Sequence, residues 1–70
     1  MSDRISAFIE DHPAESAALA DIFMGINPSD SGGALSAQDM GLCDFRGEGW
    51  SLYLQGEQIA EEFITSGRDG

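Results

Sequence analysis

Apolar and polar positions are ordered most clearly between Leu42 and Ile64, in the stretch LCDFRGEGWSLYLQGEQIAEEFI. A turn at Gly47-Glu48 pairs Phe45 with Trp50 and Cys43 with Leu52, and sets Leu54 on the same face. The other face then carries Leu42, Asp44, Arg46, Ser51, Tyr53 and Gln55, which is mostly polar. Strand side chains alternate between faces, so a one-residue slip would turn every apolar group the wrong way. A three-residue loop would cause that slip, setting Asp44 and Arg46 beside Trp50 and Leu52. Glycine at the first central position suits a type II′ turn. A four-residue loop, Arg46 to Gly49, keeps the same pairing.

Gly56 is expected to end the second strand and begin a helix. Ile59, Ala60, Phe63 and Ile64 recur at helical spacing, with Gln58, Glu61 and Glu62 roughly opposite. Glu57 falls in the first turn, where the helix dipole favours an anion. Gly67 is the expected C-terminal stop, and residues 65–70 are expected to fray. An isolated hairpin is marginal in water, so this helix is expected to cover the hairpin's apolar face.

Upstream, Ser2 can cap a short helix with Asp3 in its first turn. Ile5, Phe8 and Ile9 form its apolar stripe, with Asp3 and Glu10 pointing away. Pro13 disfavours a helical His12, which stops this helix near Asp11, and Pro13 suits the first position of a second helix. There Leu19, Ile22, Phe23 and Ile26 stand at i, i+3, i+4 and i+7, and the outer side is built of Ala14, Ala17, Ala18 and Asp21. Such an alanine face either admits a close backbone neighbour or reflects helix propensity alone.

Gly25 ends the second helix, and residues 27–34, with NPSDSGG, read as a loop. Ser36 with Asp39 resembles a capping box, and Leu35 with Met40 its hydrophobic staple. A single helical turn before Leu42 follows. The expected architecture is one α+β domain over residues 1–70, in the order α-α-(turn)-β-β-α. No internal repeat or domain linker interrupts it.

Size and charge sharpen this picture. The chain has 70 residues and a formal net charge of −10. A core of this size rarely supplies more than about 3–5 kcal/mol net, and the charge approaches the composition of disordered chains. The three periodic segments argue that it folds nonetheless. One cysteine permits no internal disulfide, and Cys43 reads as a small core residue. No apolar run is long enough for a membrane helix and no secretory h-region is present. A soluble, reducing, cytoplasmic setting is expected.

Thirteen Asp and Glu stand against three Arg, with no Lys. Binding a polynucleotide means neutralising phosphates with cations, which excludes nucleic acid as a direct partner. Anionic membranes are excluded likewise. A basic protein surface is the natural complement.

Candidate chemistry is sparse. Asn27, Ser29, Ser31 and Gly32 have the spacing of a calcium loop, but charged ligands are missing and Gln38 stands where a bidentate Glu belongs. The glycines are followed by no Lys and make no phosphate cradle. His12 is the only histidine, with Asp11 as a neighbour to orient it, and reads as a corner residue. One His and one Cys fall short of a zinc site. The neighbouring pairs Glu10-Asp11 and Glu61-Glu62 lack the cleft that separates two pKa values. No enzyme, metal or cofactor is expected.

Two readings of the charge remain. In the first, it serves only solubility or salt adaptation, and the chain is an acidic adaptor that binds a partner through an apolar patch such as Ala14, Ala17 and Met24. In the second, the carboxylates imitate phosphates: Asp3, Glu10 and Asp11 on the first helix, Asp21 on the second, Asp44 and Glu48 on the hairpin, Glu57, Glu61 and Glu62 on the last. Duplex DNA carries about one charge per 1.7 Å, and thirteen carboxylates on so small a body approach that density. Like charges at i, i+4, such as Glu57 and Glu61, cost a helix a few tenths of a kcal/mol, which hints that they are used.

In size, charge, compact α+β pattern and lack of catalytic residues, the chain resembles the small acidic phage-encoded inhibitors, particularly anti-CRISPR proteins that act as DNA mimics. The resemblance covers the whole chain and includes no motif. It implies a stoichiometric inhibitor, monomeric or weakly dimeric, that occupies the basic DNA-binding or PAM-reading channel of a CRISPR effector complex in the host cytoplasm. Restriction enzymes and repressors are alternative targets. Tyr53, on the outer hairpin face, either anchors such an interface or packs beneath one of the first two helices.

Overall fold

The structure is a computed structural model that describes residues 3–66, with side chains from residue 4. The element order is α1 (Asp3–Asp11), α2 (Pro13–Phe23), α3 (Ser31–Asp39), β1 (Cys43–Arg46), β2 (Gly49–Leu52) and α4 (Leu54–Thr65). This is the expected α+β domain, with the single turn before the hairpin grown into a nine-residue helix. The expected Ser2 cap, Gly67 stop and fraying of residues 67–70 lie outside the described residues, while Ser66 caps α4 through its bond to Glu62 O. No described helix is long and apolar enough to cross a membrane.

Helix α2 is the axis of the fold. Pro13 opens it, as predicted, and it packs on α1, α3, α4 and β2. Ser16, Ala18, Leu19, Ala20 and Ile22 are all buried, so the helix is enclosed on more than one side. The alanine face is therefore not an outer face. Its Ala14 end is the seat of α3, which comes so close that a Cβ at Gly33 would lie 2.7 Å from Ala14 O. Ser16 avoids an orphaned hydroxyl by donating to His12 O at 2.8 Å.

Helix α3 corrects the loop expected over residues 27–34. Asp30 takes the cap position, and its carboxylate accepts from Gly33 N–H at 3.0 Å. Gly32 and Gly33 thus form the first turn of the helix. Ser36 lies inside the helix and caps nothing, and Leu35 and Met40 are both exposed rather than stapled together. Glycine's poor helix propensity is outweighed by the cap and by packing that only a residue without a side chain permits.

Two helices end in the same way. Gly25, at φ +83°, donates to Ile22 O while Ile26 donates to Asp21 O, both at 3.0 Å. Gly41, at φ +80°, donates to Gln38 O while Leu42 donates to Ala37 O, both at 3.0 Å. Both are Schellman motifs, which require a left-handed residue that glycine supplies without steric cost.

The hairpin has the predicted register, with Cys43 opposite Leu52 and Phe45 opposite Trp50. Gly47, at φ +59°, leads a two-residue loop, and Glu48 has no positive φ, which excludes type I′ and fits type II′. The second strand stops earlier than expected. Tyr53 caps α4, so Leu54 leaves the sheet and lies 69% exposed. Gly56 sits inside the first turn of α4, buried, and is not a strand end. Ile59, Ala60 and Phe63 are buried as expected, but α4 packs chiefly on α2 and only lightly on the hairpin. With four-residue strands, Cys43 enters the core, Trp50 and Leu52 pack against it, and Phe45 projects beyond it.

Candidate functional site

Every element of the fold except β2 carries carboxylates. Some are engaged in holding it together. Asp30 caps α3. Asp21 Oδ2 accepts from Ser29 N–H at 3.2 Å and from Ser29 Oγ at 3.4 Å, which ties the loop after α2 back to that helix. Glu15 lies 3.9 Å from His12 Nδ1 at the α1–α2 corner, where the imidazole also packs on the Phe8 ring. The residue facing His12 is thus Glu15 and not the neighbouring Asp11.

On the outer hairpin face, Arg46 Nε donates to Asp44 Oδ2 at 3.3 Å. The Tyr53 phenol, by hydrogen bond and charge, and then Asp44 raise the Arg46 pKa above its ordinary value. Asp44 is therefore partly neutralised. Tyr53 is half-exposed beside this pair and does not pack beneath a helix.

The remaining predicted carboxylates differ in their surroundings. The side chain of Asp3 lies outside the described residues. Among the described residues, Asp11, Glu48, Glu57, Glu61 and Glu62 form no ion pair. Glu57 and Glu61, one turn apart, share an exposed stripe of α4. Glu62 is rotated roughly 100° from Glu61, onto the flank that Gln55, Gln58 and Ile59 turn towards α1. The acids of α4 thus divide between two flanks.

What sequence spacing did not reveal is a groove where α1, α2 and α4 meet. Its volume is about 700 Å³, and it is lined by Ile9, Glu10, Pro13, Ala17, Asp21, Ser29 and Phe63. Glu10 and Asp21, eleven positions apart in the chain, stand on one apolar depression. Such a depression suits a side chain with an aliphatic stem and a cationic head, since lysine and arginine bury their stems while the head seeks charge. Small Ala17 leaves the space, and no pattern in the sequence distinguishes it from the alanines that α3 covers.

Nucleophilic chemistry finds no support in the surroundings of the thiol. Cys43 is buried and donates to Ala34 O at 3.6 Å. Burial first, and the Asp44 charge second, push its pKa up, away from the thiolate that reacts. Among the described residues no three His, Cys, Asp or Glu side chains converge in a metal-binding group.

No family model matches this chain, and no curated protein or solved structure is similar to it.

Proposed function

We propose that this protein is a stoichiometric inhibitor that offers carboxylates to the basic DNA-binding surface of a nucleic-acid-binding protein, of which a CRISPR effector complex is one. The observation that carries the reading is the groove bearing Glu10 and Asp21 above Ile9, Ala17 and Phe63. Glu62 adds a carboxylate on the flank of α4 that turns towards α1. The body measures 33 × 23 × 18 Å. A duplex as long as its largest dimension carries about 19 charges, at about one per 1.7 Å, against thirteen carboxylates here.

A second reading has its own support. Among the described residues eight large apolar side chains are exposed, Phe23, Met24, Ile26, Leu35, Met40, Phe45, Tyr53 and Leu54. That favours an adaptor that binds through apolar contact. The patch expected from Ala14, Ala17 and Met24 is not its basis, because Ala14 lies against α3 and Ala17 is half-buried in the groove.

Salt and charge reversal separate the two. Proteins retained on the immobilised chain from a host lysate are compared at low and moderate salt. Charge-driven capture falls steeply as screening shortens the reach of exposed charges, whereas apolar capture scarcely changes. Glu10→Lys with Glu62→Lys is expected to abolish capture, and Glu57→Lys with Glu61→Lys to weaken it less. Salt-resistant capture unaffected by either pair would overturn the proposal.

A further inference from the structure

We infer that the outer edge of β1 pairs with the same edge of a second copy of this chain, antiparallel about Phe45, so that two hairpins join into one four-stranded sheet.

The hairpin's own hydrogen bonds leave this edge open. Tyr53 N–H donates to Leu42 O across the foot of the hairpin. Bonded and non-bonded pairs alternate along an antiparallel ladder. Asp44 with Ser51 and Arg46 with Gly49 are therefore bonded pairs, while Phe45 with Trp50 is not. The N–H and C=O of Phe45 thus point away from β2. Among the described residues no hydrogen bond engages either group. Helix α3 meets the strand at its start, where the buried Cys43 thiol reaches Ala34 O. Further along, Phe45, Arg46 and Gly47 are exposed.

The side chains select the occupant. With Phe45 on a two-fold axis, Asp44 stands opposite Arg46 of the second copy, and Arg46 stands opposite its Asp44. These fall at the closely spaced, non-bonded positions of the new ladder. Opposite charges stabilise such a pair and like charges destabilise it. Within one copy the two groups already lie 3.3 Å apart, so pairing closes a square of alternating charge. Charged side chains ordinarily protect a strand edge from other strands. Asp44 and Arg46 give no such protection against their own antiparallel image.

The aromatic rings complete the fit. Phe45 is 52% exposed, although its ring meets Trp50 edge to face with centroids 5.2 Å apart. Across the axis it meets Phe45 of the second copy, which extends the two rings to a row of four on one face of the sheet. Aromatic cross-strand pairs stabilise a sheet. The paired edge is short, which makes the dimer a weak one, and the net charge of −10 on each copy opposes it. No residue of this edge lines the groove of Glu10 and Asp21. The dimer therefore forms or fails independently of the function proposed above.

Sedimentation equilibrium of the full chain measures the association, at about 0.15 M salt, where exposed charges more than about 8 Å apart are largely screened. Wild type is expected to show a reversible monomer–dimer equilibrium below about millimolar concentration. Asp44→Arg and Arg46→Asp each set like charges opposite one another at two symmetric places. Each is expected to weaken the dimer at least about tenfold. An equimolar mixture of the two variants restores both opposite pairs at unchanged total charge, and is expected to associate as wild type does. Circular dichroism checks that the variants fold.

Hydrogen exchange needs no variant. The Phe45 amide of wild type is expected to exchange more slowly as the dimer forms, because its N–H gains a partner. A chain that stays monomeric up to millimolar concentration overturns the inference, as does a dimer in which the Phe45 amide exchanges at the monomer's rate. So does a dimer that survives both reversals, or one that the mixture fails to restore.

Discussion

Gly56 and Leu42 touch backbone to backbone: a Cβ built on Gly56 would lie 2.1 Å from Leu42 O. That carbonyl is held in place, because Tyr53 N–H donates to it at 3.1 Å. The contact docks the first turn of α4 beside the strand that Leu42 leads into. Alanine ordinarily gains about 1 kcal/mol over glycine inside a helix. Here that gain is overwhelmed by overpacking, which costs about 1–3 kcal/mol and occasionally more. In a domain with a margin of about 3–5 kcal/mol, Gly56→Ala is expected to lose a substantial share of that margin and to unfold at clearly lower urea than wild type. Urea denaturation with a midpoint equal to wild type would contradict this.

Neighbouring glycines in α3 are expected to respond with opposite signs. A Cβ at Gly33 would approach Ala14 O to 2.7 Å, whereas one at Gly32 meets only Asp30 Oδ1 at 3.4 Å, an ordinary contact. Gly32→Ala is exposed and helical, and is expected to stabilise by about 0.5–1 kcal/mol. Gly33→Ala is expected to destabilise by about 1–3 kcal/mol. Each kcal/mol moves the Tm of a domain this small by about 4–8 °C, so thermal melts of the two variants should bracket the wild type.

The Schellman aliphatics are expected to separate in the same way. Leu42→Ala empties part of the core and should cost about 2–5 kcal/mol. Ile26→Ser changes an exposed side chain and should stay within about 0.5 kcal/mol of wild type. Equal losses in the two variants, measured by denaturant titration, would show that Ile26 serves folding.

Burial of Cys43 links stability to alkaline pH. Its folded pKa is raised by desolvation and then by Asp44, while the unfolded thiol titrates near about 8.5. The native state therefore holds its proton more tightly. This contribution is complete below the unfolded value and is lost as pH rises through the folded one. Stability should fall above about pH 8.5, and Cys43→Ala should flatten that part of the profile. Iodoacetamide should label the native thiol far more slowly than the unfolded one.

The parts of the fold that were legible in sequence are those governed by near neighbours. Pro13 marks the α1–α2 corner because its ring acts on the residue just before it. Phe45 and Trp50 set the hairpin register because alternation leaves one pairing with the apolar groups together. Gly25 ends a helix because a left-handed turn needs it. Gly32, Gly33 and Gly56 were misread as loop and strand-end residues, since a glycine that flexes and a glycine that admits another backbone look alike in sequence. The carboxylates are all visible as candidates, but the placing of Glu10 and Asp21 on one groove with Phe63 follows from how α1, α2 and α4 pack, which no spacing records.

The chain alone determined a small α+β domain, its strand register, its helical corner and a formal net charge of −10, because each follows from local geometry or from simple counting. Only the tertiary structure decided which alanines are covered, which acids are neutralised and which apolar groups stay outside. Those outcomes depend on close approach between segments distant in sequence, where the presence or absence of a single carbon settles whether two backbones can meet.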